Sequence, residues 1–317
     1  MIRIAILDDY QNVAAEMADW RSLGNDCTMT FFNDHLFDPA ALAERLAPFQ
    51  VIVAMRERTP FPGPLLEKLP QLRLLVTTGM RNASIDVKAA VARGITVCGT
   101  QGLAYPTAEL AWGLILSLAR NIPVEDRQTR AGRWQTTLGT GLNGKTLGVI
   151  GLGRLGSRVA SYGKVFEMEV LAWSPNLTAE RAAAAGATLV GREELMRRSD
   201  FISIHMVLSE RTRGVIGASE LALMKPSAYL VNTSRAGLVD GDALLAALQE
   251  GRIAGAGVDV FEEEPLAANH PIKKSPNVVL TPHLGFVTAE TYRLYYGDAL
   301  EDIRAYLDGK PIRVIAA

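Results

Sequence analysis

The chain has 317 residues, enough for two domains each with its own core. It is 48% hydrophobic and 21% charged, the balance of a soluble globular protein. Its 33 basic and 34 acidic residues give a net charge of -1, which excludes the electrostatic footprint of a nucleic-acid or anionic-membrane binder.

Cys27 and Cys98 form neither C-x-x-C nor a metal-ligand cluster, so no metal and no structural disulfide are expected. The N-terminus runs directly into an apolar strand with no cationic leader. No apolar run approaches the roughly 18 residues of a membrane span. The expected location is the cytoplasm.

In chain order, 2–7, 27–32, 51–55, 72–77 and 95–98 read as strands. Helical patterns fill 11–21, 38–48, 63–69 and 84–93, and Gly94 stands where a helix-ending glycine is expected. This alternation predicts a small doubly wound domain with a mostly parallel sheet. Residues 108–119 are too long for a strand and apolar nearly all round, so a helix there is expected between domains or against a second subunit. Residues 121–145 carry Arg127, Arg130, Arg133 and Trp134 and read as a helix followed by an arm.

The next stretch organises the rest. An apolar strand, 147–150, runs into Gly151, Gly153 and Gly156, spaced G-x-G-x-x-G, and a helical apolar spacing follows. Gly151 permits a tight turn, Gly153 lets the backbone approach a pyrophosphate, and Gly156 lets helix and strand pack closely. The amides at the helix start then face the phosphate charge. A second strand, 169–173, closes a βαβ unit, the context that distinguishes a dinucleotide site from an ordinary glycine turn. Further strands are expected at 187–190, 201–205, 228–232, 254–260 and 277–281, with helices at 178–185, 192–198, 217–223 and 240–250, suiting a six-stranded dinucleotide domain. A long amphipathic stretch, 289–307, follows. If the tail 312–315 rejoins the first sheet, the domain 102–287 is inserted into a smaller domain made of 1–101 and 288–317.

Three polar points follow strand ends, where α/β sheets place their sites. They are Asn232 to Gly237 with Arg235, Asp259 to Pro265 with Glu262, Glu263 and Glu264, and Thr281 to Gly285 with His283. Each alone suits a solvated loop. Behind a dinucleotide motif they supply what hydride exchange with a keto acid requires. An imidazole gives or takes the hydroxyl proton, a carboxylate orients it, and a guanidinium grips the planar keto-carboxylate. Arg56 and Arg58 follow a first-domain strand and suit either a solvated loop or a second anion contact, a task Arg81 could share.

Gly151-Leu-Gly-Arg-Leu-Gly156, Asn232-Thr-Ser-Arg235 with Val239-Asp240, Asp259-Val-Phe with Glu264-Pro265-Leu266, and Thr281-Pro-His283 occur in one order and spacing. In this the chain resembles the D-isomer-specific 2-hydroxyacid dehydrogenases over nearly its whole length. The resemblance implies an α/β protein with two doubly wound parallel sheets, a Rossmann dinucleotide domain inserted in a flavodoxin-like substrate domain. It implies an NAD- or NADP-dependent oxidoreductase, a homodimer, interconverting a small 2-keto acid and a D-2-hydroxy acid of glyoxylate, hydroxypyruvate or phosphoglycerate type. By resemblance Arg235 binds substrate, Glu264 pairs with the histidine, and His283 is the acid/base. Asp259 holds the nicotinamide carboxamide, and Thr233 and His205 line the cofactor site. Thr78, Gly79, Met80, Arg81 and Asn82 form the loop whose amides take the substrate carboxylate, and the Arg154 and Leu155 backbone meets the pyrophosphate. Two departures are visible. Arg81 stands where the family usually has a second glycine, and Val207 replaces a usual proline. A related corepressor that senses dinucleotide on the same fold is the alternative in another class.

The acidic residue expected about 20 residues beyond the glycines, which repels a 2′-phosphate, is replaced by Ser174. No arginine or lysine lies within 174–178, so use of both NAD and NADP is expected.

Overall fold

The computed structural model describes residues 1–275 and 277–317. The chain forms two compact units, Met1–Leu103 with Thr288–Ala317, and Ala104–Val287.

The first unit holds strands β1 (Ile2–Ile6), β2 (Cys27–Phe31), β3 (Val51–Ala54), β4 (Leu74–Thr77) and β5 (Thr96–Gly99) in the order β2-β1-β3-β4-β5. All pairs are parallel. β3 and β4 are buried at every position, as strands with both faces covered must be. The helices between are α1 (Ala14–Met17), α2 (Pro39–Leu46), α3 (Gly63–Glu67) and α4 (Val87–Ala92). Asp38 and Asp86 cap α2 and α4 by accepting from the N–H groups of Ala41 and Ala89.

The helix expected over 11–21 is reduced to one turn and a 3-10 turn, Trp20–Leu23. Asn12 takes a left-handed backbone with φ 54°, and the Asp9 carboxylate accepts from Val13 and Ala14. Trp20 Nε1 donates to the Ala14 carbonyl, 2.7 Å, and so takes an acceptor a continuing helix would need. The tail returns to the sheet as expected, but through one antiparallel bridge, Val314 with Cys98, rather than a strand. Arg313 pins it to the C-terminal helix Ala289–Leu307 by donating to Asp302 Oδ1, 2.9 Å, and to the Asp298 carbonyl, 2.7 Å.

The second unit holds β6 (Thr146–Ile150), β7 (Glu169–Trp173), β8 (Thr188–Leu189), β9 (Phe201–Ile204), β10 (Tyr229–Asn232), β11 (Gly255–Val258) and β12 (Val278–Leu280). Their order is β12-β11-β10-β9-β6-β7-β8, again parallel. All seven lie where strands were expected, with the two-residue β8 inside 187–190, so the sheet carries one strand more than the six of the usual dinucleotide domain. Its helices are α5 (Tyr105–Ala119), α6 (Ile122–Arg130), α7 (Arg154–Val165), α8 (Ala179–Ala184), α9 (Arg192–Arg198), α10 (Ala218–Leu223) and α11 (Gly241–Gln249).

The apolar helix α5 needs neither another domain nor another subunit to hide most of its surface. It lies on α7 and on β10, β11 and β12 of its own unit. Gly257 makes the approach close, since a Cβ there would stand 3.1 Å from Leu114 Cβ. α6 buries no residue, and 131–145 follows it without helix or strand.

Candidate active site

Because the second sheet is parallel, the loops after β6, β9, β10, β11 and β12 gather along one edge. The order reverses beside β6, whose neighbours are β7 and β9, so the glycine turn sits at the switch point. Gly151 has φ 95°, and a Cβ on it would lie 2.6 Å from the His205 carbonyl oxygen. Gly156 is buried in α7, and a Cβ there would overlap the Gly151 carbonyl oxygen. Packing within the protein thus dictates two glycines. It does not dictate Gly153, which is exposed at the start of α7, where a Cβ would meet nothing within 4 Å. The third glycine keeps open a place for something outside the chain. Arg154 and Leu155 follow as the first residues of α7, and half-buried Ser174 follows β7.

Two buried polar atoms at adjacent strand ends have no partner within the described residues, His205 Nδ1 after β9 and Thr233 Oγ1 after β10. Such atoms cost stability unless a ligand or water satisfies them. Ser203 Oγ lies 2.8 Å from His205 Nε2 and orients the ring. Burial pushes the His205 imidazole down to about 4, so it stays neutral near pH 7. Open glycine, helix amides and orphaned strand-end groups together fit a dinucleotide.

On the same edge, His283 Nδ1 is 2.6 Å from Glu264 Oε2. Glu264 Oε1 accepts from the Phe261 N–H, 2.8 Å, so both carboxylate oxygens are engaged. Burial pushes the Glu264 carboxyl up. The hydrogen bond and charge of His283 outweigh it, with the Phe261 N–H and the Arg235 charge adding, and the net shift is downward. Glu262 and Glu263 are exposed. Arg235 follows β10 in extended conformation and is half-buried. Its carbonyl accepts from Asn232 Nδ2, 3.0 Å, and its Nη1 donates to the Ser234 carbonyl, 2.7 Å.

His283 has φ 54°, a left-handed backbone uncommon outside glycine, and the surrounding turn must enforce it. Asp259, fully buried, supplies the restraint. Its Oδ1 accepts from Thr281 Oγ1 at 2.6 Å and the Leu284 N–H at 2.7 Å, and its Oδ2 accepts from the Gly285 N–H at 2.9 Å. Burial raises the Asp259 carboxyl against these donors and the His283 charge. Three of the roughly four acceptor positions of this carboxylate are occupied by its own turn. Thr107 Oγ1 of α5 donates to the Gly285 carbonyl, 2.8 Å, and Phe286 sets its ring edge-on to His283 at 5.4 Å.

The remaining sequence candidates lie in the first unit. Thr78 is buried, Arg56 half-buried and Arg81 exposed. Arg56 is not a solvated loop residue. With φ 52° it donates its N–H to Thr78 Oγ1, 2.8 Å, and its Nη1 to the Thr78 carbonyl, 3.0 Å. Its guanidinium fills the space a side chain at Gly79 would need. Arg81 is outside the residues with positive φ, so the backbone there has no need of the glycine it replaces.

Sequence reasoning missed Ser203, Thr107 and Phe286, and it placed Asn82 in the substrate loop without giving its side chain a task. Ser203 had a signal, since residues two apart on a strand share a face with His205. Thr107 touches the His283 turn from α5 and nothing local announces it, while Phe286 lies three residues beyond His283 and only the fold turns its ring to the imidazole.

Comparison with known proteins agrees with this geometry. Residues 112–285 match the family model described as D-isomer specific 2-hydroxyacid dehydrogenase, NAD binding domain. The chain is 44% identical to a glyoxylate reductase of Aeropyrum pernix over 78% of this chain and 76% of that protein. It is 36% identical to a D-3-phosphoglycerate dehydrogenase of Synechocystis over 84% of this chain but 49% of that protein, so it spans about half the length of that relative. A phosphoglycerate oxidoreductase structure from Vibrio cholerae superposes with a TM-score of 0.93 at 39% identity, covering 98% of this chain and all of that one. These relatives are enzymes, and the corepressor alternative is not favoured. The chain belongs to the D-isomer-specific 2-hydroxyacid dehydrogenase family and is an NAD(P)-dependent oxidoreductase of that family.

Proposed function

We propose that the protein reduces a small 2-keto acid of the glyoxylate or hydroxypyruvate class to the D-2-hydroxy acid. The observation that carries this reading is the 2.6 Å pair of His283 and Glu264, held on a strained turn at the sheet edge that carries the glycine motif. NAD(P)H, when bound, supplies the hydride. Glu264 holds the Nδ1–H of His283, which leaves Nε2 as the nitrogen that gives its proton to the keto oxygen. Returning the imidazole to its charged form takes a proton from solvent, and the Glu264 carboxylate favours that form. Arg235 grips the keto-carboxylate, and in the first unit the amides of loop 78–82 are offered to a carboxylate. Gly151, Gly153, Arg154, Leu155 and Gly156 cradle the pyrophosphate. Ser174 meets the adenosine ribose, Thr233 and His205 meet the nicotinamide half, and the remaining acceptor position of Asp259 meets the carboxamide.

Similarity to a glyoxylate reductase over 76% of that protein, against 49% of the D-3-phosphoglycerate dehydrogenase, supports the small substrate over a phosphorylated one. Exposed Trp134 (78%) and Leu138 (96%) on the arm, beside a helix that buries nothing, support a homodimer. The described residues contain no helix long and apolar enough to cross a membrane. With the unpaired cysteines, this is compatible with a cytoplasmic location.

The test is a screen of glyoxylate, hydroxypyruvate, pyruvate and longer keto acids, followed by the near-ultraviolet absorbance of NADH and NADPH. His283→Ala is expected to lower turnover by about 10² to 10⁴ while leaving cofactor binding intact. Sedimentation at micromolar concentration tests the dimer. Full turnover in His283→Ala would sink the acid/base assignment.

A further inference from the structure

The loops after β3 and β4 are tied together by the last side chain of loop 78–82, for which the resemblance implies no role. Asn82 Nδ2 donates to the Arg56 carbonyl, 2.6 Å, and to Thr77 Oγ1, 2.8 Å, while its Oδ1 accepts from the Ser84 N–H, 2.9 Å. Arg56 answers from the other side. Its N–H donates to Thr78 Oγ1 and its Nη1 to the Thr78 carbonyl, and its guanidinium lies against Gly79. The Gly79 N–H is held by Thr100 Oγ1, 2.8 Å. The side chains of Thr77 and Thr78, the Thr78 carbonyl and the Gly79 N–H are thus committed to neighbours. Among the described residues, the N–H groups of Met80 and Arg81 donate to nothing.

We propose that Asn82 is a positioning residue for the reaction. With Arg56 it forms a brace that holds the loop after β4 so that the Met80 and Arg81 amides present to the substrate carboxylate. This rests on the reading that the loop takes that carboxylate. The physical need is plain. A left-handed Arg56 is disfavoured by itself and persists only where neighbours over-determine it. Asn82 bonds the carbonyl of that residue, and Thr78 bonds its amide. The brace also does what a second glycine would otherwise do. The loop reaches its shape with Arg81 at an ordinary φ, because the bend is stored at Arg56 and Gly79. Arg56 then serves every keto acid equally, since it acts on the loop and not on a second anionic group of the substrate.

The experiment uses the full chain, with glyoxylate and oxaloacetate as substrates and oxalate as a competitive probe. Asn82→Asp keeps the shape and the acceptor for Ser84 but cannot donate to the Arg56 carbonyl. It should raise KM for both substrates and Ki for oxalate about three- to tenfold, the worth of one hydrogen bond. kcat should stay within about twofold, and the dissociation constant of NADH, read by fluorescence, should be unchanged. Arg56→Lys, which keeps the charge but loses the planar fork over Gly79, should raise both KM values alike and provides the readout if Asn82→Asp does not fold. KM and Ki within about twofold of wild type, or a fall in kcat at constant KM, would overturn the brace. A rise confined to oxaloacetate in Arg56→Lys would overturn it in favour of a direct anion contact. A wild-type chain that reduces no keto acid would instead defeat the proposed function.

Discussion

Gly153 and Gly156 are three residues apart in one motif, yet the structure predicts opposite consequences for the same substitution. Gly153 precedes α7 with φ −89° and ψ −157°, a backbone any residue adopts, and a methyl there meets nothing within 4 Å. Alanine at this cap position costs about 0.5–1 kcal/mol relative to glycine. The loss of freedom in the unfolded chain returns about 0.4–1 kcal/mol. Gly153→Ala should therefore leave Tm within about 2 °C of wild type. Its methyl would stand where the pyrophosphate approaches, and NADH binding should weaken about tenfold or more, at least about 1.4 kcal/mol. At Gly156 alanine gains about 1 kcal/mol of helix propensity. Against this, its methyl overlaps the Gly151 carbonyl oxygen and lies 3.1 Å from the carbonyl carbon and 3.2 Å from Val149 Cγ1. The obstacle is backbone and cannot rotate away, so the cost falls at the upper end of the overpacking range, about 3 kcal/mol. A net loss of about 2 kcal/mol lowers Tm by about 4–8 °C for a unit of this size. Thermal unfolding and NADH fluorescence titration of the two variants provide the assay. Wild-type NADH affinity in Gly153→Ala, or wild-type stability in Gly156→Ala, would refute the reasoning.

Glu264→Gln should lower turnover and displace the pH profile of reduction toward acid, because removing the carboxylate disfavours the imidazolium; an unmoved profile would show that Glu264 does not act on His283. Wild-type kcat/KM for NADH and NADPH should agree within about tenfold, and Ser174→Asp should move the ratio toward NADH by at least that factor, about 1.4 kcal/mol; a wild-type ratio above about a hundredfold would refute dual use. The Asp302 carboxyl is pushed up to about 7 from an ordinary 3.8, by burial first, against the charge and hydrogen bond of Arg313. A carboxyl whose pKa is higher folded than unfolded favours the fold below about 3.8, and that contribution is lost as pH rises through about 7. Asp302→Asn should therefore flatten the fall in Tm between pH 5 and pH 8, and an unchanged slope would count against the assignment.

The resemblance carried by four short motifs was legible because each sits where backbone chemistry is local. The glycine spacing, the successive acids before Pro265, and Thr281-Pro-His283 follow strand ends, and a parallel sheet brings all strand ends to one edge. Register did the rest without any long-range information. The failures were also physical. The helix expected at 11–21 has acceptable propensity, but Trp20 and Asp9 offer its backbone better partners than its own turns do. The apolar run 108–119 reads as an interface helix because spacing along the chain does not show that α7 and three strands of its own unit cover it.

The alternation of strands and helices, the dinucleotide turn and the residue types able to exchange a proton and grip a carboxylate were legible along the chain. These follow from spacing and from side-chain chemistry, which are properties of neighbours in the chain. Folding, by contrast, decided that Asp259 spends most of its acceptor capacity holding the His283 turn. Only it decided that Arg56 lies on Gly79, and that Asn82 joins two loops more than twenty residues apart in the chain. Those choices depend on which hydrogen-bonding groups meet after the sheets form. A group's partner is set by distance in space, and residue spacing along the chain does not encode it.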